Sequence, residues 1–320
     1  MHMPRREFLK WGGLAAASAG ASILPASLKA SSRKTRPIID VHMHAYPAEY
    51  VFASPVVNPI SGVKSPIANG ADHLAACIAE MKRYNVTKGV VSGGDGDKLR
   101  AAIEWHDRDP QRFIAGAALR GSADTPLPPV DVLRDAIKAG KFQVLGEVTA
   151  MYAGLTLSDA KYEPYLELAE ELDIPVCLHT GTMPPGTAFD PCCRTARARL
   201  GKPELIEEAI NRHPKLRINL MHCGWPYLDE TIAMLLLYPN INVDTGAVSW
   251  LLGRPYFHEL LHKMIWAGFG KRIMFGSDQM YWPDAIGLAV AGVESANFLT
   301  EEQKQDIFHD NAVRFYRLNV

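Results

Sequence analysis

The sequence predicts an α/β fold, a (β/α)8 TIM barrel with additional C-terminal helices, and three observations carry that expectation. Short apolar, β-branched runs alternate with longer segments of helical period. The alternation repeats eight times between residues 37 and 278. The runs are also near-continuously apolar, as strands covered by helices on a parallel sheet must be. A doubly wound open sheet is the structural alternative.

The strand candidates are "PIIDVH" (37 to 42), "TKGVVS" (87 to 92), "RFIAGAAL" (112 to 119), "FQVLGEV" (142 to 148), "IPVCLH" (174 to 179), "LRINLMH" (216 to 222), "INVDTG" (241 to 246) and "RIMFGSD" (272 to 278). Helix candidates lie at 71 to 84, 97 to 108, 129 to 139, 163 to 172, 203 to 213, 228 to 237 and 255 to 268, with further helices from 283 onward. "YEPYLELAEELDIP" shows the reasoning: Pro164 suits a first helical turn, Leu166, Ala169 and Leu172 recur at helical spacing, and Pro175 follows the stop. The first connection, residues 45 to 70, is rich in Pro, Ser, Gly and Asn and is expected to lie over the barrel mouth.

The 320 residues are 48% hydrophobic and 22% charged, enough to bury a large core, and no composition break marks a second domain after residue 31. Lys plus Arg is 34 and Asp plus Glu is 35, a net charge of -1, which argues against a nucleic-acid or anionic-membrane partner. A small-molecule substrate is expected, and self-association into a homo-oligomer is left open. Residues 1 to 30 are a separate object: "PRREFLKWGG", then the apolar, small-residue "LAAASAGASIL" and "PASLKASS". This has the form of a twin-arginine signal peptide, implying the twin-arginine export machinery as a partner and a periplasmic location. The apolar run is shorter than the roughly twenty residues that span a bilayer, so no stable membrane anchor is expected.

The cysteines, Cys77, Cys177, Cys192, Cys193 and Cys223, are odd in number and lack zinc-finger spacing. Adjacent Cys192 and Cys193 could form a strained pair in the periplasm, but an ordinary loop is the default.

In a strand, residues i and i+2 face the same side, so His42 and His44 are expected to point inward while Val41 and Met43 point away. Isolated, H-x-H is a weak signal. Four later strand candidates, however, also end in a metal-capable side chain: Glu147, His179, His222 and Asp278. In a barrel these ends share the C-terminal mouth, where nitrogens and carboxylates could complete a Zn2+-type shell that leaves a position for water.

On these residues the chain resembles the amidohydrolase superfamily of metal-dependent TIM-barrel enzymes. "MHCGWPYLDE", "KRIMFGSDQMYWPDA" and "FHDNAVRFYRL" are similar to its amidohydrolase-related (family 2) branch of hydrolases and nonoxidative decarboxylases. The resemblance implies a divalent metal, most often Zn2+, as one or two ions, and a metal-activated water that cleaves an amide, ester or lactone. It implies that His42, His44 and Asp278 bind the buried metal with His179 or Glu147, and that His222 binds a second metal or polarises the substrate carbonyl. Asp278 would carry the proton from water to the leaving group. A bridging Glu147 would make the centre binuclear, whereas a Glu147 that accepts from a ligand histidine would make it mononuclear. Decarboxylation of a carboxylated, possibly aromatic, substrate is the alternative reaction.

The loops after the strands carry Met151, Tyr152, Met183, Trp225, Trp250, Tyr281 and Trp282, which suit an apolar or planar substrate. Arg120 and Arg194 are candidates to hold a substrate carboxylate. Asp244 is expected to make a structural hydrogen bond to its neighbouring turn. His73, His106, His213, His258, His262 and His309 fall in helix candidates or at their ends, where surface or helix-terminal roles are expected.

Overall fold

A computed structural model describes residues 36 to 94, 97 to 122 and 125 to 319. The twin-arginine segment, residues 1 to 30, lies outside the described residues. Eight parallel strands follow one another in order around the sheet: β1 Ile38–Ala45, β2 Val86–Gly93, β3 Phe113–Leu119, β4 Val144–Val148, β5 Val176–Leu178, β6 Ile218–Leu220, β7 Ile241–Asp244 and β8 Ile273–Met274. Backbone bonds carry β8 back to β1: Val41 N–H donates to Phe275 C=O at 2.9 Å and Asp278 N–H to His42 C=O at 2.7 Å. The fold is the (β/α)8 barrel, and the open-sheet alternative falls.

The first two helices between the strands start at side-chain caps. Asn69 accepts from Asp72 N–H at the start of α1, Gly70–Arg83, and Asp97 accepts from Arg100 N–H at the start of α2, Lys98–Arg108. Then come α3 Val130–Lys138, α4 Glu163–Glu171, α5 Glu207–Arg212, α6 Leu228–Leu237 and α7 Arg254–Trp266, followed by α8 Ala285–Glu294, α9 Glu301–Gln305 and α10 Asn311–Tyr316.

Two buried clusters result. The larger fills the space between strands and helices, where Met43, Met81, Trp105 and Phe113 meet. The smaller gathers Ile39, Val41, Val90, Val144, Cys177, Met221 and Met274 from around the barrel against Ala312, Phe315 and Tyr316 of α10. The last helix thus closes the floor.

Three expectations are revised, and the first connection gains detail. Strict alternation fails in β1: Asp40 pairs opposite Gly89 but Met43 opposite Val91, so three steps on one strand match two on the other. Val41 consequently joins the small cluster instead of pointing away from it. Asp40, fully buried, stabilises this bulge by accepting His42 N–H at 3.1 Å and Ser277 N–H at 2.9 Å. Strands six and eight are shorter than their apolar runs, so His222 and Asp278 lie beyond strand ends. The first connection contains an antiparallel pair, Val56–Val57 with Lys64–Ser65, and Val57 C=O accepts the Trp282 indole N–H at 2.9 Å. Cys192 and Cys193 are joined by a disulfide.

Candidate metal centre

Each site residue is delivered by a different local device. β1 carries His42 and His44, β4 carries Glu147 in its body, and His179 follows β5 directly. His222 (φ 61°) and Asp278 (φ 48°) adopt left-handed backbone beyond β6 and β8. Such conformations cost roughly 1 to 3 kcal/mol each and persist only where surroundings fix them. Here they are fixed: His222 N–H donates to Asp244 Oδ1 at 3.2 Å, and Asp278 N–H to His42 C=O at 2.7 Å. Two glycines allow the close approach, since a Cβ on Gly246 would lie 2.3 Å from His42 Nδ1 and one on Gly276 would lie 2.8 Å from His42 Cβ.

The six side chains converge. His44 Nε2 is 2.9 Å from Asp278 Oδ1 and 3.6 Å from Glu147 Oε2, while His42 Nε2 is 3.7 Å from Asp278 Oδ1. His179 Nδ1 is 2.6 Å from Glu147 Oε1 and 3.2 Å from His222 Nε2. His42 Nε2, His44 Nδ1 and Asp278 Oδ1 are nevertheless buried without a hydrogen-bond partner, and the first and last of these face one another across the site. Orphaned buried polar atoms of this kind demand an explanation, and a cation shared by both supplies it. Two overlapping donor groups can hold such an ion: His42, His44 and Asp278, and His42, Glu147 and His222.

Hydrogen bonds fix which imidazole nitrogens are offered. His42 Nδ1 faces Asp244 Oδ1 at 3.2 Å and so donates there, leaving the Nε2 lone pair for the site. His222 Nδ1 donates to Gly246 C=O at 3.0 Å, which leaves its Nε2 lone pair facing inward. His179 Nε2 donates to Thr182 C=O at 3.0 Å, and its Nδ1 is taken up with Glu147. His179 therefore stands outside both donor groups, as Glu147's partner. Gln279, fully buried, grips the backbone of His44 through both its amide atoms.

Electrostatics follow from this packing. Burial alone would lower the His42 pKa, but Asp244 and Asp278 outweigh it and push it up to about 10. Burial would raise Asp278, yet His42 and His44 hold it down at about 2. His222 is lowered to about 4 by burial and then by the neighbouring His179 and His42, so it is neutral with a free lone pair near pH 7. The negative potential that draws a proton onto His42 is the one that would draw a divalent cation.

Asp244 is the member that sequence reasoning undervalued. It accepts from Gly246 N–H at 2.8 Å, the expected turn bond, but also from Asn219 at 2.7 Å and from His42. Its position at the end of the seventh strand was the available signal. His73, expected at a surface or helix end, is fully buried and donates to Met280 C=O at 2.9 Å.

The substrate candidates divide. Arg120 is half-buried, its guanidinium 5.1 Å from the Tyr152 ring centre, and Tyr152 stands edge-on to His179 at 5.2 Å. Tyr162 donates its hydroxyl to Arg120 C=O and steadies that backbone. Trp225 is half-buried and donates to Tyr256 Oη at 3.3 Å. Trp250 and Trp282 are buried edge to face at 5.8 Å, with their N–H groups held by Ser277 C=O and Val57 C=O. Arg194 is exposed on the long loop after β5.

Among solved structures, the chain is similar to a probable 2-pyrone-4,6-dicarboxylic acid hydrolase from Acinetobacter baumannii (15% identical, TM-score 0.60, covering 88% of this chain and 99% of that one). It is also similar to a 2,6-dihydroxybenzoate decarboxylase (17%, TM-score 0.60, 88% and 100%) and to the 5-carboxyvanillate decarboxylase of Sphingomonas paucimobilis (18%, TM-score 0.53, 76% and 82%). At these identities the likeness is one of fold. The protein fluG of Emericella nidulans is 24% identical over 132 residues, which span 37% of this chain and 15% of that protein's length. The amidohydrolase family model matches residues 39–318. This chain belongs to the amidohydrolase family, whose metal-dependent members include hydrolases and decarboxylases.

Proposed function

We propose that this protein is a metal-dependent hydrolase that cleaves an amide, ester or lactone bond in a carboxylated, planar substrate. The carrying observation is the pair of buried, unpartnered atoms, His42 Nε2 and Asp278 Oδ1, converging beside His44 Nε2. His42, His44 and Asp278 would hold one cation, with Glu147 and His222 within reach of it, and imidazole and carboxylate donors suit Zn2+. A divalent cation bound there would polarise the substrate and bring the pKa of water from 15.7 to about 7.

The remaining work falls to the chain. Asp278, held ionised, accepts a proton from attacking water and returns it to the leaving group. Asp244 keeps the His42 Nε2 lone pair aimed inward. His222, neutral and pinned at Nδ1, stays beside the reacting carbonyl without adding positive charge. Arg120, braced over Tyr152, offers a fork for a substrate carboxylate next to the His179 ring.

That same arginine favours a second reading, nonoxidative decarboxylation, in which the carboxylate is the group that leaves. The solved structures of similar fold include both classes. One experiment tests and separates them. Zinc-loaded protein is incubated with lactones and carboxylated aromatics in water labelled with heavy oxygen. Label in the product supports hydrolysis, CO2 release without label supports decarboxylation, and neither outcome across both panels overturns the assignment. Metal content by elemental analysis is expected at one or two equivalents per chain.

Export is part of the proposal: "PRREFLK" ahead of a small-residue apolar run supports twin-arginine transport to the periplasm. A reporter fused after residue 30 should leave the cytoplasm only in cells with that pathway.

A further inference from the structure

We propose that the Cys192–Cys193 disulfide is a thiol-reversible latch that holds one wall of the metal site in place. The inference concerns the pocket of the function proposed above, but its first readout does not depend on that function.

A disulfide between adjacent residues does little for global stability. The entropic gain from a cross-link grows with the length of loop it closes, and here that loop is the shortest a chain can form. Its effect is local, and the locality is informative. From residue 182 to residue 199 the long loop after β5 buries only Cys193 and Ala196, so the Cys193 side chain is one of its two anchors. Cys192, bonded to it, is exposed, which makes one sulfur reachable by an attacking thiolate while the other is the anchor.

What the anchor holds is the site wall. The turn Pro191–Cys193, whose first N–H groups are taken by Asp190, packs against the turn Ala150–Ala153. Thr195 presses on the next residue so closely that a Cβ at Gly154 would meet Thr195 Cβ at 2.7 Å. The Ala150–Ala153 turn carries Tyr152, which lies beneath Arg120 and edge-on to His179. The loop touches the site again at Thr182, whose C=O accepts from His179 Nε2. Cys77, Cys177 and Cys223 are buried elsewhere and out of reach of exchange, so the partner must come from solution.

The chemistry is a two-electron exchange with a dithiol reductant. One thiolate of the dithiol attacks Cys192 Sγ and forms a mixed disulfide; the Cys192–Cys193 bond breaks, and its electron pair leaves on Cys193 Sγ, which takes a proton from water. The second thiolate of the dithiol then attacks the mixed sulfur, closing an oxidised cyclic disulfide and releasing Cys192, which also takes up a proton. The pair is reduced by two electrons and the dithiol oxidised by two.

The test uses the full, metal-loaded chain with and without dithiothreitol, reading amide hydrogen exchange in residues 150 to 153 and thiol alkylation by mass spectrometry. Reduction should expose two new alkylatable thiols, at Cys192 and Cys193, and raise exchange in that turn by about tenfold, as expected when a segment packed against it loosens. Cys192→Ser should show the fast exchange without reductant and no further response to it. The latch is overturned if the pair resists reduction, or if exchange at 150 to 153 is the same in both states. It is also overturned if dithiothreitol changes wild type and Cys192→Ser equally, since that marks removal of metal by the reagent. Faster exchange with no turnover of any lactone or carboxylate would leave the latch standing and sink the proposed reaction.

Discussion

At the barrel mouth, His42, His44, Glu147, His179, His222 and Asp278 crowd within a few ångströms, two of them on left-handed backbone and three, His42, His44 and Asp278, with buried atoms left unpartnered. At the floor, Ala312, Phe315 and Tyr316 of α10 seal the same eight strands with apolar packing. One barrel thus has an end that spends stability on preorganised charge and an end that supplies stability without chemistry. Changes at the mouth should therefore alter turnover more than folding, and changes at the floor the reverse.

Asp278→Asn makes the largest expected difference. It keeps the shape but removes the proton acceptor, so kcat should fall about 10²- to 10⁴-fold while the melting temperature stays near wild type. Retained activity would break the assignment of proton transfer to Asp278. Phe315→Ala is the counterpart at the floor. Emptying that buried ring should cost about 3 to 5 kcal/mol in denaturant unfolding, with kcat near wild type at temperatures where the variant is folded. If activity fell as far as stability, the two ends would not be separable.

Asp244→Asn sharpens the comparison from within the mouth. It leaves His42 a neutral hydrogen-bond partner but withdraws the charge that holds the ring basic and oriented. Metal affinity, read by competition with a chromogenic chelator, should fall about 10- to 100-fold.

How much of this was legible varies with the range of the forces involved. Helix α6 runs from Leu228 to Leu237, the bounds its apolar spacing implies, because the pattern that sets them is local. His42 and His44 are readable because β1 is a long, buried strand. The backbone at His222 and Asp278 is not readable, since the apolar runs before them continue while the ladder has already ended at Leu220 and Met274. Their placement depends on Asp244 and on the His42 carbonyl, contacts that no local pattern encodes. The bulge at Asp40 escapes for the same reason: its Oδ1 accepts from Ser277 N–H, 237 residues away. Vicinal cysteines give no spacing signal at all.

His73 ties the mouth to the helical layer, and its titration gives the smallest expected effect. Burial lowers its pKa from 6.5 to about 3, with its Nε2 held by Met280 C=O. In the unfolded chain the same ring takes a proton once the pH drops below about 6.5, so the unfolded state binds more protons than the fold. The stability contributed by neutral His73 is whole above pH 6.5 and is lost as pH falls toward 3. The slope from one such group is about 1.4 kcal/mol per pH unit. His73→Gln keeps a donor for Met280 and cannot titrate, so urea unfolding at pH 7, 6, 5 and 4 should show its stability falling less steeply than wild type by about that slope. Residual acid sensitivity will remain, because His222 is also held below its ordinary value by burial. Parallel pH profiles for the two proteins would mean that His73 is protonated or hydrated in the fold, and the sealed boundary between the mouth and the helical layer would have to be redrawn.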